Sequence, residues 1–333
     1  ASWVRCCFTW SKSPREFCCH GTCHSEALTH IDMPLTTAQL ARLGLVVTAL
    51  LWGGNHVVIR AVSGETSVVA LVFWRWALVI IALLPFTATA IFRNWNEIRK
   101  NLTSIALLGF INCVVFSFAI IAAPFGTAAL NVGLLQATAP VWVLFLSAIS
   151  GDQRMTGIRT LVVLIGFVGT ALLLTDGTLQ NASLSQFRWG DGVAVLAAVI
   201  WAAYSLLLRR QKSMLSPMVL FSAMTIAGFT GLMFSLFLLA SLGMVSLADI
   251  AVPATAVPSV LYVGIGATLF GNLFWNIGVQ KIGASAAAQY LFLAPIASSA
   301  LAVVWLGETL SIVQVIGALL VGTSLLIGSK IHA

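Results

Sequence analysis

Long apolar runs recur along the chain from about Leu40 to Ile327. A bilayer-spanning helix needs about 20 mainly apolar residues, and it must satisfy its own backbone hydrogen bonds. The runs are too long and too continuously apolar for the strands of a membrane barrel. They predict an all-α integral membrane protein with ten transmembrane helices. The predicted spans are residues 40–60, 67–90, 102–122, 126–148, 158–175, 191–208, 214–242, 257–279, 284–305 and 310–328.

Composition supports lipid as the solvent for most of this chain. Of 333 residues, 59% are hydrophobic and 8% are charged, whereas soluble domains carry roughly 25% charged residues. The mean hydropathy is +1.01. A water-soluble fold cannot cover that much apolar surface.

The positions of Lys and Arg predict the orientation of the chain in the membrane. The net charge is +7, but orientation follows Lys and Arg in short loops. With the N-terminus inside, the inner loops and tails from Met33 onward carry Arg42, Arg93, Arg99, Lys100, Arg154, Arg159, Arg209, Arg210, Lys212, Lys281 and Lys330, and the outer loops carry Arg60 and Arg188. We therefore expect a multi-pass protein of the inner (plasma) membrane with both termini in the cytoplasm. The basic balance does not indicate nucleic-acid binding.

Residues 1–32 differ from the rest of the chain and lack the apolar core of a signal peptide. They contain Cys6, Cys7, Cys18, Cys19, Cys23, His20, His24 and His30. Such side chains suit zinc, but their spacing matches no regular zinc module. Because Met33 is the first methionine and lies just before the first span, we treat 1–32 as a non-conforming extension and expect no metal site.

An internal repeat divides the remainder. Trp52 is followed eight residues later by Arg60, and Trp201 is followed eight residues later by Arg209, an offset of 149. The later landmarks that keep nearly this offset are Pro140 with Pro295 and Gly169-Thr170 with Gly322-Thr323. The repeat predicts two five-helix halves.

Five is an odd number, so the second half must cross the membrane in the opposite sense to the first. We assign 33–175 to the first repeat, 176–190 to an extracytoplasmic linker and 191–333 to the second repeat. A 5+5 inverted-topology repeat is typical of secondary transporters, whose binding sites lie near the midplane between the halves.

Polar and aromatic residues within the spans are the candidates for binding a substrate. Polar groups are costly in lipid and need either a structural partner or a function. The candidates besides one arginine are Trp52, Asn55, His56, Asn112, Gln136, Trp201, Tyr204, Asn272, Trp275, Asn276 and Tyr290. Each could line an uncharged, amphiphilic cavity, or it could make a contact that locks the bundle.

Arg75, between Trp74 and Trp76, is the charge that we place well inside a span. It could attract a substrate carboxylate, or it could snorkel or bond a backbone carbonyl. From Met33 onward every Asp and Glu falls at a span end or in a loop. We therefore expect no buried carboxylate relay, and we expect transport to follow a gradient.

Pro140 and Pro295 occupy matched places in the fourth and ninth spans. Proline removes a backbone hydrogen bond and can kink a helix. These residues are candidate hinges for alternating access, and they could equally be static kinks.

Several classes of protein find no support. The chain has no phosphate-binding loop of the Gly-x-x-x-x-Gly-Lys-Ser/Thr form, no His-Glu-x-x-His and no Gly-x-Ser-x-Gly. We therefore predict no enzyme, no catalytic residue, no cofactor and no use of ATP. The expected partners are a small-molecule substrate and membrane lipid.

Four stretches resemble the drug/metabolite transporter superfamily of the EamA type. They are Trp52-Gly53-Gly54-Asn55 with Arg60, Phe73-Trp74-Arg75-Trp76, Leu134-Leu135-Gln136 leading to Pro140, and Pro295 leading to Leu306-Gly307-Glu308. The resemblance covers about 40–327 and implies ten helices around a central cavity and movement of small metabolites. Within the superfamily the chain is similar to bacterial exporters of the YddG kind, which implies aromatic and other neutral amino acids as substrates.

The function we predict is export of amino acids or related small metabolites across the inner membrane by alternating access. The competing functions are a carrier or channel for another small solute, such as a drug, nucleoside or sugar derivative, and a membrane-embedded enzyme. An enzyme would require clustered acids or histidines at one interface, which the spans lack.

Overall fold

The computed structural model describes residues 36–175, 188–306 and 311–331, and it describes only the backbone of 301–306. The described residues form helices and turns without β-strands. Their long helical segments are α1 (Thr37–Val62), α2 (Val68–Arg93), α3 (Leu102–Gly126), α4 (Ala129–Ile149), α5 (Gly157–Thr175), α6 (Trp189–Arg210), α7 (Pro217–Ser241), α8 (257–282), α9 (284–306) and α10 (Ile312–Ile331). A short helix, Trp95–Lys100, precedes α3, and two 3-10 turns, Leu247–Ile250 and Ala254–Ala256, precede α8.

Nine of the ten predicted spans are confirmed as helices long and apolar enough to cross a membrane, counted over the described residues. Helix α9 coincides with the predicted span 284–305 but is not among those nine. The count of ten transmembrane helices in a 5+5 arrangement therefore stays a prediction. The extension 1–32 and the linker residues 176–187 lie outside the described residues.

Contacts between loops and helix ends define the two ends of the bundle. At one end Arg210 pairs with Asp152 at 3.0 Å and Ser104 Oγ donates to Gln211 at 2.6 Å. We call this the Arg210 end. At the opposite end, the Arg60 end, Arg60 Nη1 donates to the Pro124 carbonyl at 2.9 Å. Successive helices run alternately between these two ends.

The two arginines of the repeated motif make matching contacts. Arg60 binds the last turn of α3, whereas Arg209 Nη1 donates to the Gln280 carbonyl in the last turn of α8 at 2.6 Å. Because the final carbonyls of a helix have no partner within it, a cation there satisfies them and opposes the helix dipole. The spacing from Trp to Arg thus places one such cap at each end of the bundle.

The helices most irregular in hydrogen bonding are also matched. Helix α3 contains a π-helical segment, Ile111–Phe116, and α8 contains another, Tyr262–Phe270. Helix α4 breaks after Gln136, shortly before Pro140, while α9 has a 3-10 turn, Tyr290–Phe292, shortly before Pro295. A proline cannot donate to the preceding turn, which accounts for the position of these breaks.

One carboxylate among the described residues is buried, contrary to the sequence-based expectation. Asp191 is fully buried at the start of α6, where it accepts hydrogen bonds from Thr127 Oγ1 at 2.7 Å, Asn131 Nδ2 at 3.3 Å and the Arg188 backbone N–H at 2.8 Å. The backbone N–H of Arg188, just before α6, and the side chains of Thr127 and Asn131 supply the hydrogen bonds that water would supply. Position at a span end did not indicate exposure, because neighbouring helices cover that end.

Helices α5 and α10 cross in close contact through glycine. A side chain at Gly317 would lie 2.6 Å from the Gly169 carbonyl oxygen and 2.7 Å from the Leu173 nitrogen. Real side chains do not approach backbone so closely, so the two helices would have to separate. Gly322 is also on α10, but no atom lies within 4 Å of the corresponding position there.

We expect Gly317→Ala to destabilise the protein and Gly322→Ala to leave it unchanged or slightly stabilised. The first substitution pushes α10 from α5, whereas the second gains about 1 kcal/mol of helix propensity without a clash. Thermal unfolding in detergent, followed by size-exclusion chromatography, measures the difference. We expect a lower midpoint by several degrees for Gly317→Ala alone. Equal midpoints for the two variants would contradict the close crossing.

Candidate functional site

A cavity of about 280 Å³ lies at the centre of the bundle. Its wall includes Val57, Leu130 and Leu174, which lie toward the Arg60 end of their helices. This volume is near the lower limit of ordinary small-molecule pockets, roughly 300–1,000 Å³. The cavity can therefore hold a small solute and reaches toward the Arg60 end.

Aromatic rings close the cavity on the side of the Arg210 end. Trp52 and Trp201, the matched residues of the repeat, meet edge to face with centroids 5.1 Å apart. Trp275 contacts both, at 5.6 Å and 5.2 Å. We call Trp52, Trp201 and Trp275 the tryptophan layer. Trp52 and Trp201 face the cavity, whereas Trp275 is fully buried behind them.

Arg75 is the charged residue in the described wall of the cavity. Its side chain is 4% exposed, its Nε donates to Thr268 Oγ1 at 2.9 Å, and its Cζ lies 5.7 Å from the centre of the Trp76 ring. Its Nη1 has no hydrogen-bond partner among the described residues. A buried guanidinium with a vacant donor is suited to bind an anionic oxygen.

Four amide or imidazole side chains share the wall with Arg75, namely Asn55, His56, Gln136 and Asn272. Asn55 Oδ1 and His56 Nδ1 are buried without a partner among the described residues. Gln136 Nε2 is occupied, since it donates to the Ala194 carbonyl at 2.8 Å. Asn55 Oδ1 is thus an acceptor available to an ammonium or hydroxyl group.

Four predicted polar residues form a network at the wall and behind it. Asn112 Nδ2 donates to Asn272 Oδ1 at 3.2 Å and to Tyr204 Oη at 3.4 Å, and Tyr204 Oη donates to Asn276 Oδ1 at 2.8 Å. Only Asn272 of these four also lines the cavity. Asn112, Tyr204 and Asn276 lie beyond the tryptophan layer, toward the Arg210 end.

Of the twelve predicted binding residues, the cavity wall brings together Trp52, Asn55, His56, Arg75, Gln136, Trp201 and Asn272. Asn112, Tyr204, Trp275 and Asn276 support that wall without lining it, and Tyr290 borders a separate space of about 20 Å³ beside Arg42. Pro295 lines the cavity, whereas Pro140 is buried in α4 away from it. Whether any of these residues binds a solute or acts as a hinge stays a prediction.

Sequence reasoning missed the apolar part of the wall. It includes Phe116, Ile120, Leu130, Leu174, Leu291 and Ala294. Nothing in their residue types separates them from lipid-facing positions, because both environments favour the same side chains. The one usable signal was their proximity along the helices to polar candidates such as Asn55 and Gln136.

Comparison with known proteins places this architecture among transporters. The sequence profile of the EamA-like transporter family matches residues 39–175 and again 188–329. A solved crystal structure superposes with a TM-score of 0.67 at 19% identity, covering 88% of this chain and 98% of the other. At that identity the likeness shows the fold alone.

Three curated relatives are named as transporters. The chain is similar to the uncharacterized transporter YyaM of Bacillus subtilis, at 27% identity over 78% of this chain and 83% of the relative. It is similar to a probable terminal-alkyne amino-acid exporter of Streptantibioticus cattleyicolor, at 25% identity over 79% and 84%. It also resembles a probable amino-acid metabolite efflux pump of Salmonella typhimurium, at 24% identity over 85% and 92%.

The predicted resemblance is therefore confirmed, and the membrane-spanning helices and the relatives together indicate a transporter and not an enzyme. The chain is a multi-pass membrane transporter that belongs to the EamA-like transporter family of the drug/metabolite transporter superfamily.

Proposed function

We propose that the protein exports neutral amino acids, aromatic ones included, across the inner membrane by alternating access. The observation that carries the proposal is the vacant Nη1 of the buried Arg75, in a described cavity wall without Asp or Glu. A solute carboxylate would satisfy that donor. In a low-dielectric site such a bond is stronger than in water, and it offsets part of the cost of burying the charge.

The rest of the wall is complementary to the other parts of an amino acid. Asn55 Oδ1 supplies an acceptor for the ammonium group. The faces of Trp52 and Trp201, with Phe116 beside them at 4.5 Å from Trp201, supply an apolar surface for a side chain. Two relatives whose names refer to amino acids support the same substrate class.

Two features support alternating access as the transport mechanism: the duplication of the chain and the closed tryptophan layer. The matched arginine caps, the matched π segments and the two successive matches of the family profile support an inverted repeat of two halves. An inverted pair can exchange conformations, which would open the cavity at the Arg210 end and close it at the Arg60 end. The helix breaks before Pro140 and Pro295 are the proposed hinges.

We propose that the Arg60 end faces the outside and that both termini lie in the cytoplasm. The Arg210 end carries most of the loop Lys and Arg of the described residues, including Arg99, Lys100, Arg154 and Arg209. Short basic loops are retained in the cytoplasm during insertion. The described conformation is then open toward the outside.

Transport by the purified protein in liposomes tests the substrate class. We expect saturable flux and counterflow of labelled phenylalanine, methionine or threonine. Arg75→Met should raise KM about 10- to 100-fold, since a hydrogen bond to a charged group contributes about 1.5–3 kcal/mol. The control is Arg99→Met, which removes an exposed arginine far from the cavity. Flux of nucleosides but of no amino acid would refute the substrate, and non-saturable conduction would refute the carrier mechanism.

Cysteine labelling tests the orientation. In a variant whose six native cysteines are replaced by serine, we expect Gly64→Cys, at the Arg60 end, to react with an impermeant maleimide in intact cells. Gly157→Cys, at the Arg210 end, should react only after permeabilisation. Both glycines are exposed, and no atom lies within 4 Å of either added side chain. The reverse labelling pattern would show that the described cavity opens to the cytoplasm.

A further inference from the structure

The two π-helical segments carry the same hydroxyl contact. Ser117 Oγ donates to the Asn112 carbonyl at 2.7 Å, and Thr268 Oγ1 donates to the Val263 carbonyl at 2.6 Å. Each bond spans five residues, as the π geometry requires. By comparison, the buried Thr87 and Thr225 donate to the carbonyls four residues back, those of Leu83 and Phe221. The wider turn therefore gives Ser117 and Thr268 a different local geometry from other hydroxyls in the bundle.

Helix α2 reaches both hydroxyls with consecutive residues. Trp76 Nε1 donates to Ser117 Oγ at 2.8 Å, and Arg75 Nε donates to Thr268 Oγ1 at 2.9 Å. All four side chains are buried, none more than 4% exposed. Each hydroxyl uses its own proton for the helix and a lone pair for α2. Because its proton is used within its own helix, each hydroxyl oxygen is oriented to accept a hydrogen bond from α2.

Of these two contacts, the one between Arg75 and Thr268 connects a π segment to the cavity. Arg75 still has a donor without a partner among the described residues. The indole of Trp76 has a single N–H, which Ser117 occupies. The guanidinium has five, and after Nε is bound its Nη1 remains vacant in the described cavity wall. Thr268 does not line the cavity itself. Its backbone carbonyl accepts a bond from Asn272 Nδ2 at 2.9 Å, so Thr268 contacts two residues of the wall.

A guanidinium is planar and rigid, so fixing the direction of Nε fixes the plane in which Nη1 and Nη2 point. Without an acceptor for Nε, the group could rotate about its last side-chain bonds toward another partner. A carboxylate is recognised best when two donors lie in its plane, which makes this rotation important for binding.

We propose that Thr268 is a positioning residue that orients the Arg75 guanidinium toward the solute and makes the cavity select solutes with a carboxylate. The proposal rests on the proposed function, because it assigns the arginine to the solute. It adds a determinant of specificity outside the cavity wall, held in place by the π segment of α8.

The test compares an amino acid with its carboxamide, which has nearly the same shape but no negative charge. Inhibition constants of methionine and methioninamide are measured against labelled methionine flux in liposomes. Thr268→Val removes the hydroxyl at constant shape, and Thr268→Ser retains it. Thr225→Val is the matched control, since it removes a buried hydroxyl whose described bond stays within its own helix.

We expect Thr268→Val to weaken inhibition by methionine about tenfold and inhibition by methioninamide less than twofold. Thr268→Ser should recover most of the loss, and Thr225→Val should alter neither constant by more than twofold. In a double-mutant cycle, Thr268→Val should have no further effect on the ratio of the two constants once Arg75 is Met.

Equal losses for both inhibitors would overturn the proposal, because they would show a general packing defect. A Thr268→Ser variant as impaired as Thr268→Val would also overturn it. Should Thr268→Val fail to fold, Thr268→Ala supplies the hydroxyl-free comparison under the same criteria. Absence of amino-acid flux in the wild-type protein would refute the proposed function and, with it, this assignment. Wild-type flux with an unchanged ratio in Thr268→Val would refute this assignment alone.

Discussion

Burial of a positive charge inside an apolar bundle is the constraint on which the centre of this structure depends. An unpaired ion in a medium of low dielectric constant is costly, so Arg75 requires partners that compensate for lost water. Thr268 satisfies Nε, and the Trp76 ring lies near the charge. The remaining donor, Nη1, borders the cavity. The charge in the cavity wall and the proposed choice of solute both depend on how that guanidinium is held.

The irregular parts of the helices are the means by which a membrane protein can form such a site. A regular helix in lipid uses its backbone groups internally and leaves few for a ligand or a neighbouring side chain. Helices α3 and α8 widen into π segments, and α4 and α9 are interrupted before their prolines. The central cavity borders all four of these helices. These departures from α-helical geometry thus lie in the helices that border the polar part of the cavity.

Aromatic packing separates the cavity from the Arg210 end. The tryptophan layer supplies a wide apolar surface, and the network of Asn112, Tyr204 and Asn276 lies behind it. Several polar atoms at this boundary, among them Trp201 Nε1, Trp275 Nε1 and Asn112 Oδ1, have no partner in the described part of the chain. Buried polar atoms without partners cost about 1–3 kcal/mol each. In the proposed alternating-access cycle, that cost would lower the free energy needed to rearrange this region.

The sequence by itself determined the helices and their approximate bounds. It also determined which loops are rich in Lys and Arg, and the family. The helices follow from hydropathy, because about 20 apolar residues span a bilayer, and the orientation expected for the chain follows from Lys and Arg in the loops. The family follows from its sequence motifs and their duplication. Only the tertiary structure decided which polar residues face the cavity, that Trp275 and Tyr204 lie behind it, that Asp191 is buried, and that Thr268 holds Arg75. The reason is that lipid and protein interior are both apolar, so the hydropathy pattern fixes where a membrane helix lies but not which of its faces turns inward.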